Sequence, residues 1–138
     1  MNPAAGVLIV GASAAGLSTA EALRRSGYDD TITMIGAEPH APYDRPPLSK
    51  QVLSGNWSAD RARLRADDVI DGLALDISLG EVATSLDVHT RTVRTSRREI
   101  AAEHIVIATG ATRAHDLPVP GRELGGIHTA WDFLTSHA

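Results

Sequence analysis

The feature that most constrains this chain is an apolar run that ends on glycine. Val7-Leu8-Ile9-Val10 offers no polar position to turn toward water, and it stops at Gly11-Ala12-Ser13-Ala14-Ala15-Gly16. A strand buried on both faces reads this way when it turns directly into a helix. Past the turn, Leu17, Ala20, Ala22 and Leu23 recur at helical spacing until Ser26-Gly27 ends the pattern, and residues 31–35 open a second β-branched run. Strand, glycine turn, helix, strand is a βαβ unit. Its turn aims free backbone N–H groups and the positive end of the helix macrodipole at one point, where a pyrophosphate fits.

The dinucleotide fingerprint for that task is G-x-G-x-x-G, with one glycine for the tight turn, one for ligand approach and one for helix–strand packing. Gly11 and Gly16 keep the outer roles, Ser13 replaces the middle glycine, and Ala14 and Ala15 complete the turn. Glu38 lies 22 residues past Gly16, just beyond the second strand, where an acid accepts the hydroxyls of an adenosine ribose. A purely structural βα turn and a solvated loop acid are the plainer alternatives. No G-K-[ST] motif marks a P-loop, and Ala15 and Leu17 stand where short-chain dehydrogenases carry glycine.

Composition narrows the class. With 138 residues, 43% hydrophobic and 22% charged, the chain suits one soluble domain or part of one. No apolar run approaches the ~20 residues of a membrane span, and the N-terminus has no basic region ahead of its apolar run, so we expect a cytoplasmic protein without a membrane partner. The absence of cysteine excludes disulfide scaffolds, cysteine-ligated clusters and a dithiol relay within this segment. A net charge of −4 argues against a nucleic-acid partner despite Arg61, Arg63 and Arg65. His89 has no acid or second histidine at ligand spacing, so no metal site is expected.

Pro39, Pro42, Pro46 and Pro47 stiffen the loop after Ile35, which can therefore hold side chains beside a ligand. Residues 48–53 read as a short helix with Lys50 in its first turn. Lys50 is the only lysine among 13 basic residues, which suggests a need for a compact, mobile charge, although an ordinary surface lysine is the bland alternative. Val69, Ile70, Leu73 and Leu75 suggest a short helix ending near Gly72, followed by a strand at 76–79. Residues 82–87, 92–95 and 98–100 read as three strands of an antiparallel meander. His104-Ile105-Val106-Ile107 forms a separate buried strand ending in the small residues Ala108-Thr109-Gly110, where backbone can approach a ligand.

At residues 7–55, and above all in Tyr43-Asp44-Arg45-Pro46-Pro47-Leu48-Ser49-Lys50, the sequence resembles the N-terminus of the FAD-dependent ferredoxin and rubredoxin reductases. The resemblance extends over roughly residues 5–128. It implies an α/β, Rossmann-like FAD/NAD(P)-binding fold: a parallel sheet with a small antiparallel meander. By resemblance, Gly11, Ser13, Ala14, Ala15 and Gly16 bind the FAD pyrophosphate and Glu38 the ribose, although the family also places its acid at the position of Ala37. Arg45, Pro46 and Lys50 would lie along the flavin, with Lys50 in a catalytic role, because a cation stabilises the reduced ring. Val82 would meet the adenine side through its backbone, and Ala108, Thr109 and Gly110 would face the cofactor.

The family continues with proline and arginine where Arg113 and Ala114 stand, Arg113 being a candidate replacement, and with leucine–arginine where Ala130 and Trp131 stand. Its NAD(P)H domain, flavin-side return segment and interface domain have no counterpart in this sequence. We therefore expect the first half of a split FAD domain: a first segment at 1–115 and a connector at 116–138 toward an NAD(P)-binding domain. The implied function is electron transfer from NAD(P)H through FAD to a ferredoxin or rubredoxin-type iron–sulfur protein. The alternative is a truncated or catalytically silent nucleotide-binding module. The strand at 104–107 should leave an open edge suited to self-association.

Overall fold

The apolar run lies in β1 (Ala5–Val10), which leads through the glycine turn to α1 (Ala14–Arg25) and then β2 (Ile32–Gly36), as the periodicity requires. The structure is a computed structural model that describes residues 5–111, 118–129 and 132. Arg113, Ala114, Ala130 and Trp131 lie outside the described residues. β1 and β2 pair in parallel, with Val7 opposite Ile32 and Val10 opposite Ile35, and β3 (Asp76–Leu79) adds in parallel to the far side of β2. Helix α1 stops at Ser26, and Gly27 follows at φ +87°, a left-handed conformation that costs glycine little. Arg24 secures this corner. Its guanidinium donates to the carbonyl oxygens of Tyr28 and Asp30 ahead of β2, and of Leu73 and Ala74 ahead of β3. One planar cation thus ties together the starts of two strands.

The meander comprises β4 (Ala83–Asp87), β5 (Thr92–Thr95) and the beginning of β6 (Glu99–Ile107). Here the sequence expectation needs correction. The two strands expected at 98–100 and 104–107 are one, β6, a single strand of 9 residues that begins at Glu99. Ala101-Ala102-Glu103 contains no turn-forming residue, so nothing interrupts the extended backbone. β6 pairs antiparallel with β5, Thr92 opposite Ala101, and then parallel with β1, Val7 opposite His104 and Val10 opposite Ile107. The result is one six-stranded sheet in the order β3-β2-β1-β6-β5-β4. On the side of β6 away from β1, no described strand pairs with residues 104–107.

Both faces of β1 are covered, which is why its sequence has no polar position. Leu8 and Val10 pack with Ile35, Val93, Ile100 and Ala102. Val7 and Ile9 pack with Ile32, Met34 and Ala20 of α1. A fully buried aliphatic side chain contributes about 1.5–3 kcal/mol, so these two clusters hold β1 at the centre of the sheet.

The chain divides into two compact units, Met1–Asp44 with Arg63–Thr109, and Arg45–Ala62 with Gly110–Ala138. The first holds the sheet, α1 and α2 (Asp67–Asp71), a short helix that Gly72 caps and that buries none of its residues. The second contains 3-10 turns at Pro46–Ser49 and Ala59–Ala62. The helix expected at 48–53 is therefore corrected. Lys50 follows the 3-10 turn as its C-cap, at φ −124° and ψ −95°. Pro46 and Pro47 suit a first turn, where no N–H is needed, but the non-helical backbone at Lys50 stops a regular helix from continuing. Irregular backbone bonds follow, Val52 N–H to Pro47 and Leu53 N–H to Leu48. Further along, the Arg61 guanidinium lies 4.7 Å from the Trp57 ring centroid.

Between β3 and β4 the chain buries a carboxylate. Glu81 is 1% exposed; Thr95 Oγ1 donates to its Oε1 at 2.6 Å and Arg98 Nε at 3.2 Å. Burial pushes its pKa up, but hydrogen bonds from Ser78, Thr95 and Arg98 and the positive charge of Arg98 outweigh that, leaving it below the ordinary carboxylate value. A carboxyl whose pKa is lower folded than unfolded stabilises the fold above its unfolded pKa, and that contribution is lost as pH falls through the folded pKa. We expect Glu81→Gln to cost about 1–3 kcal/mol at pH 7, because it leaves Arg98 without its anion, and to flatten the loss of stability below about pH 4.5. Urea unfolding across pH 3–7 checks both. An unchanged acid slope would assign the acid sensitivity to other carboxylates.

Candidate functional site

The carboxyl ends of β2, β1 and β6 converge on one turn. Gly11 has φ +122°, and its N–H donates to the Ile35 carbonyl at 2.8 Å, while Ala108 N–H donates to the Val10 carbonyl at 2.7 Å. A Cβ on Gly11 would fall on the Ala108 carbonyl, and one on Gly16 would fall on the Gly11 carbonyl. A Cβ on Gly36, at the end of β2, would stand 2.7 Å from that of Ala12. Gly11 and Gly16 are therefore required by backbone packed against backbone, and Gly36 by the Ala12 side chain. The turn they allow delivers the chain straight into α1.

The first turn of α1 is not compensated from within. Ser13 is the N-cap, but its side chain makes no capping hydrogen bond, and no acidic side chain lies in the first turn. The amides of Ala14, Ala15 and Gly16 precede the first intrahelical bond, Leu17 N–H to Ser13 carbonyl at 2.9 Å. Free N–H groups and an unbalanced dipole at the carboxyl edge of a parallel sheet favour an anion. Ser13, Ala14 and Ala15 carry only small side chains, so backbone approach stays open.

Glu38 stands two residues beyond β2 and is half-buried. Tyr43 Oη donates to its Oε2 at 2.5 Å, and the Tyr43 ring meets His40 edge-on at a centroid distance of 6.5 Å. Ala37, the alternative acid position, is exposed. The Glu38 carbonyl accepts from Gly80 N–H at 2.9 Å, so its loop is tied to the link between β3 and β4. In that link, Val82 N–H donates to Ser96 Oγ at 3.1 Å and its carbonyl accepts from Ser96 N–H at 2.8 Å. The Val82 amide is thus engaged, while its carbonyl keeps a second lone pair.

The structure brings Gly11, Ser13, Ala14, Ala15, Gly16, Ala108 and Thr109 to the carboxyl edge, with Glu38 on the loop leaving it and Val82 in the β3–β4 link. Arg45, Pro46, Lys50 and Gly110 belong to the second unit. There Arg45 is the N-cap of the 3-10 turn and is half-buried, Pro46 and Lys50 are exposed, and Gly110 has φ +66°. Sequence reasoning missed Gly36, Tyr43, Glu81, Thr95 and Arg98. Tyr43, five residues from Glu38 in a stiff loop, carried a signal; the buried Glu81 pairings, formed across 14 and 17 residues, did not. Among the described residues no cluster of His, Cys, Asp or Glu is arranged to hold a metal, and no helix is long and apolar enough to cross a membrane.

This geometry, a glycine turn and helix at the carboxyl edge of a parallel sheet, defines a Rossmann-like nucleotide-binding fold. The family model described as pyridine nucleotide-disulphide oxidoreductase matches residues 5–136, and the chain belongs to that family. Among curated proteins, the ferredoxin reductase component of chlorobenzene dioxygenase from Cupriavidus sp. is 43% identical over 89% of this chain and 30% of its own length. The ferredoxin–NAD(+) reductase subunit of the benzene 1,2-dioxygenase system from Pseudomonas putida is 41% identical over the same shares. Among solved structures, the ferredoxin reductase from Rhodopseudomonas palustris superposes with a TM-score of 0.78 at 33% identity, over 88% of this chain and 30% of that one. The covalent putidaredoxin reductase–putidaredoxin complex gives 0.76 at 32% identity, over 85% and 28%. The chain spans about 30% of the length of the curated relatives it matches.

The backbone contacts at the turn make a sharp contrast among glycines. Gly16→Ala places a methyl on the Gly11 carbonyl and should cost about 3 kcal/mol, whatever alanine gains in helix propensity. Gly125 has open space around it and no positive φ, so Gly125→Ala should stay within about 0.5 kcal/mol of the parent. Thermal unfolding of both variants checks this. A Gly16→Ala protein as stable as the parent would mean that the turn is not packed as described.

Proposed function

We propose that this chain forms FAD-binding structure of an NAD(P)H:ferredoxin reductase, with electrons passing from NAD(P)H through FAD to a ferredoxin or rubredoxin-type carrier. The observation that carries this reading is the turn at 11–16, where backbone stripped of Cβ atoms meets an uncapped helix N-terminus. The residues present fit a dinucleotide. In this reading the amides around Ser13, Ala14, Ala15 and Gly16 hold the pyrophosphate, and Glu38 accepts the ribose hydroxyls, with Tyr43 fixing its other side. The Val82 backbone takes the adenine edge, and Ala108, Thr109 and Gly110 give close backbone approach. Arg45, Pro46 and Lys50 serve the flavin end, Lys50 as the catalytic cation that balances negative charge on the reduced ring. Bound FAD supplies hydride acceptance and stepwise electron release. Residues 1–115 form the first segment of the FAD domain and 116–138 the connector to NAD(P)-binding structure. The same reading puts the protein in the cytoplasm, where its pyridine nucleotide donors are found.

The test is equilibrium titration of FAD fluorescence. The wild-type chain should quench it saturably. Glu38→Ala should weaken binding about 10- to 100-fold, the equivalent of one lost charge-assisted contact of about 1.5–3 kcal/mol. Lys50→Ala should change stability by less than about 0.5 kcal/mol while lowering the potential of the bound flavin. Equal FAD affinity in wild type and Glu38→Ala would remove Glu38 from the site.

Self-association belongs to the same reading. It is supported by residues 104–107, which lack a described partner strand on one side, and by Ile107, which is 66% exposed there. Two copies pairing along that edge would satisfy its backbone groups. Sedimentation at micromolar concentration should show a dimer, and Ile107→Pro, which removes an N–H on the side away from β1, should shift it toward monomer. A compact monomer at all concentrations counts against it.

A further inference from the structure

The buried polar and charged side chains among the described residues are Thr33, Glu81 and Thr95, and two of these touch each other. A buried carboxylate carries a desolvation penalty of several kcal/mol that its partners must offset, and an apolar side chain of similar size would avoid it. What Glu81 provides beyond packing is therefore worth seeking in the backbone around it.

That backbone is a bridge. On one side, Gly80 N–H donates to the Glu38 carbonyl at 2.9 Å and Glu81 N–H to the Gly36 carbonyl at 2.8 Å. On the other, Val82 is bonded through both its amide and its carbonyl to Ser96. The Glu81 side chain crosses the same gap: Oε1 accepts from Thr95 Oγ1 and Arg98 Nε, and Oε2 lies 3.4 Å from Arg98 Nη2. Thr95 Oγ1 also accepts the N–H groups of Arg97 and Arg98, at 3.1 and 2.9 Å, which locks the turn between β5 and β6. The fixed turn thus holds Glu81, Glu81 holds the 80–82 link, and the link holds the main chain that carries Glu38.

We propose that Glu81, clamped by Thr95 and Arg98, is a positioning residue for the adenosine end of the nucleotide site, acting through the loop that carries Glu38. The proposal deepens the FAD-binding reading above and rests on it. Glu81 need not contact the ligand. Its effect on binding should run through Glu38, and this separates positioning from general stabilisation: two residues acting through one contact give non-additive losses.

The experiment is a double-mutant cycle on FAD affinity in the full chain, by fluorescence titration, with circular dichroism confirming the fold of each variant. Glu81→Gln should weaken FAD binding about tenfold, the scale of one misplaced charge-assisted hydrogen bond. The Glu81→Gln/Glu38→Ala double variant should bind no more weakly than Glu38→Ala alone. Thr95→Val should reproduce the Glu81→Gln loss, and Thr95→Ser, which keeps the hydroxyl, should restore wild-type affinity. Should Glu81→Gln fail to fold, the Thr95 pair carries the same cycle against Glu38→Ala. Wild-type affinity in folded Glu81→Gln or Thr95→Val, or losses that simply add to that of Glu38→Ala, overturns the inference and leaves the FAD reading standing. No FAD binding by the wild-type chain overturns both.

Discussion

The structure depends on backbone meeting backbone with no side chain between. Gly11 lies against the Ala108 carbonyl and Gly16 against the Gly11 carbonyl, so the end of β1, the start of α1 and the distant end of β6 close on one point. A single methyl group at either glycine would separate them. Because α1 begins at that point, the same contact fixes the direction of its free N–H groups. Fold and candidate site therefore share one steric requirement.

Around that point the sheet distributes its tasks. β1 is buried on both faces and anchors the centre. β6 joins the parallel and antiparallel halves in one strand, which makes the meander an extension of the parallel sheet and couples the two mechanically. The link at 80–82 closes a second connection between them through Glu81, so the loop carrying Glu38 is held from both halves. Arg24 performs a similar task at the opposite ends of β2 and β3, with backbone carbonyls as its partners.

Much of this was legible in the sequence, for local reasons. The run at 7–10, the β-branched run ending at Ile35 and the short strand at 76–79 announce themselves by composition, and Gly27 marks the end of α1 by its own conformational freedom. The glycine turn was legible because steric demand leaves few residues acceptable. Three features were not. The continuity of β6 depends on β1 and β5 flanking it in turn, which no local pattern encodes. The winding after Pro46 looked helical in the sequence, whereas the backbone leaves the helical region at Lys50. The buried Glu81 reads as an ordinary surface acid until Thr95 and Arg98 are brought to it by the fold.

The central claim is that the turn at 11–16 receives a pyrophosphate. The most direct measurement is an amide-resolved NMR titration of the isotopically labelled chain with ADP, which contains the pyrophosphate and adenosine without the flavin. The account predicts the largest shifts at the amides of residues 12–16, with smaller ones at Glu38 and Val82, and little change along α2. Shifts confined to other surfaces, or an unaltered spectrum at millimolar ADP, would contradict it.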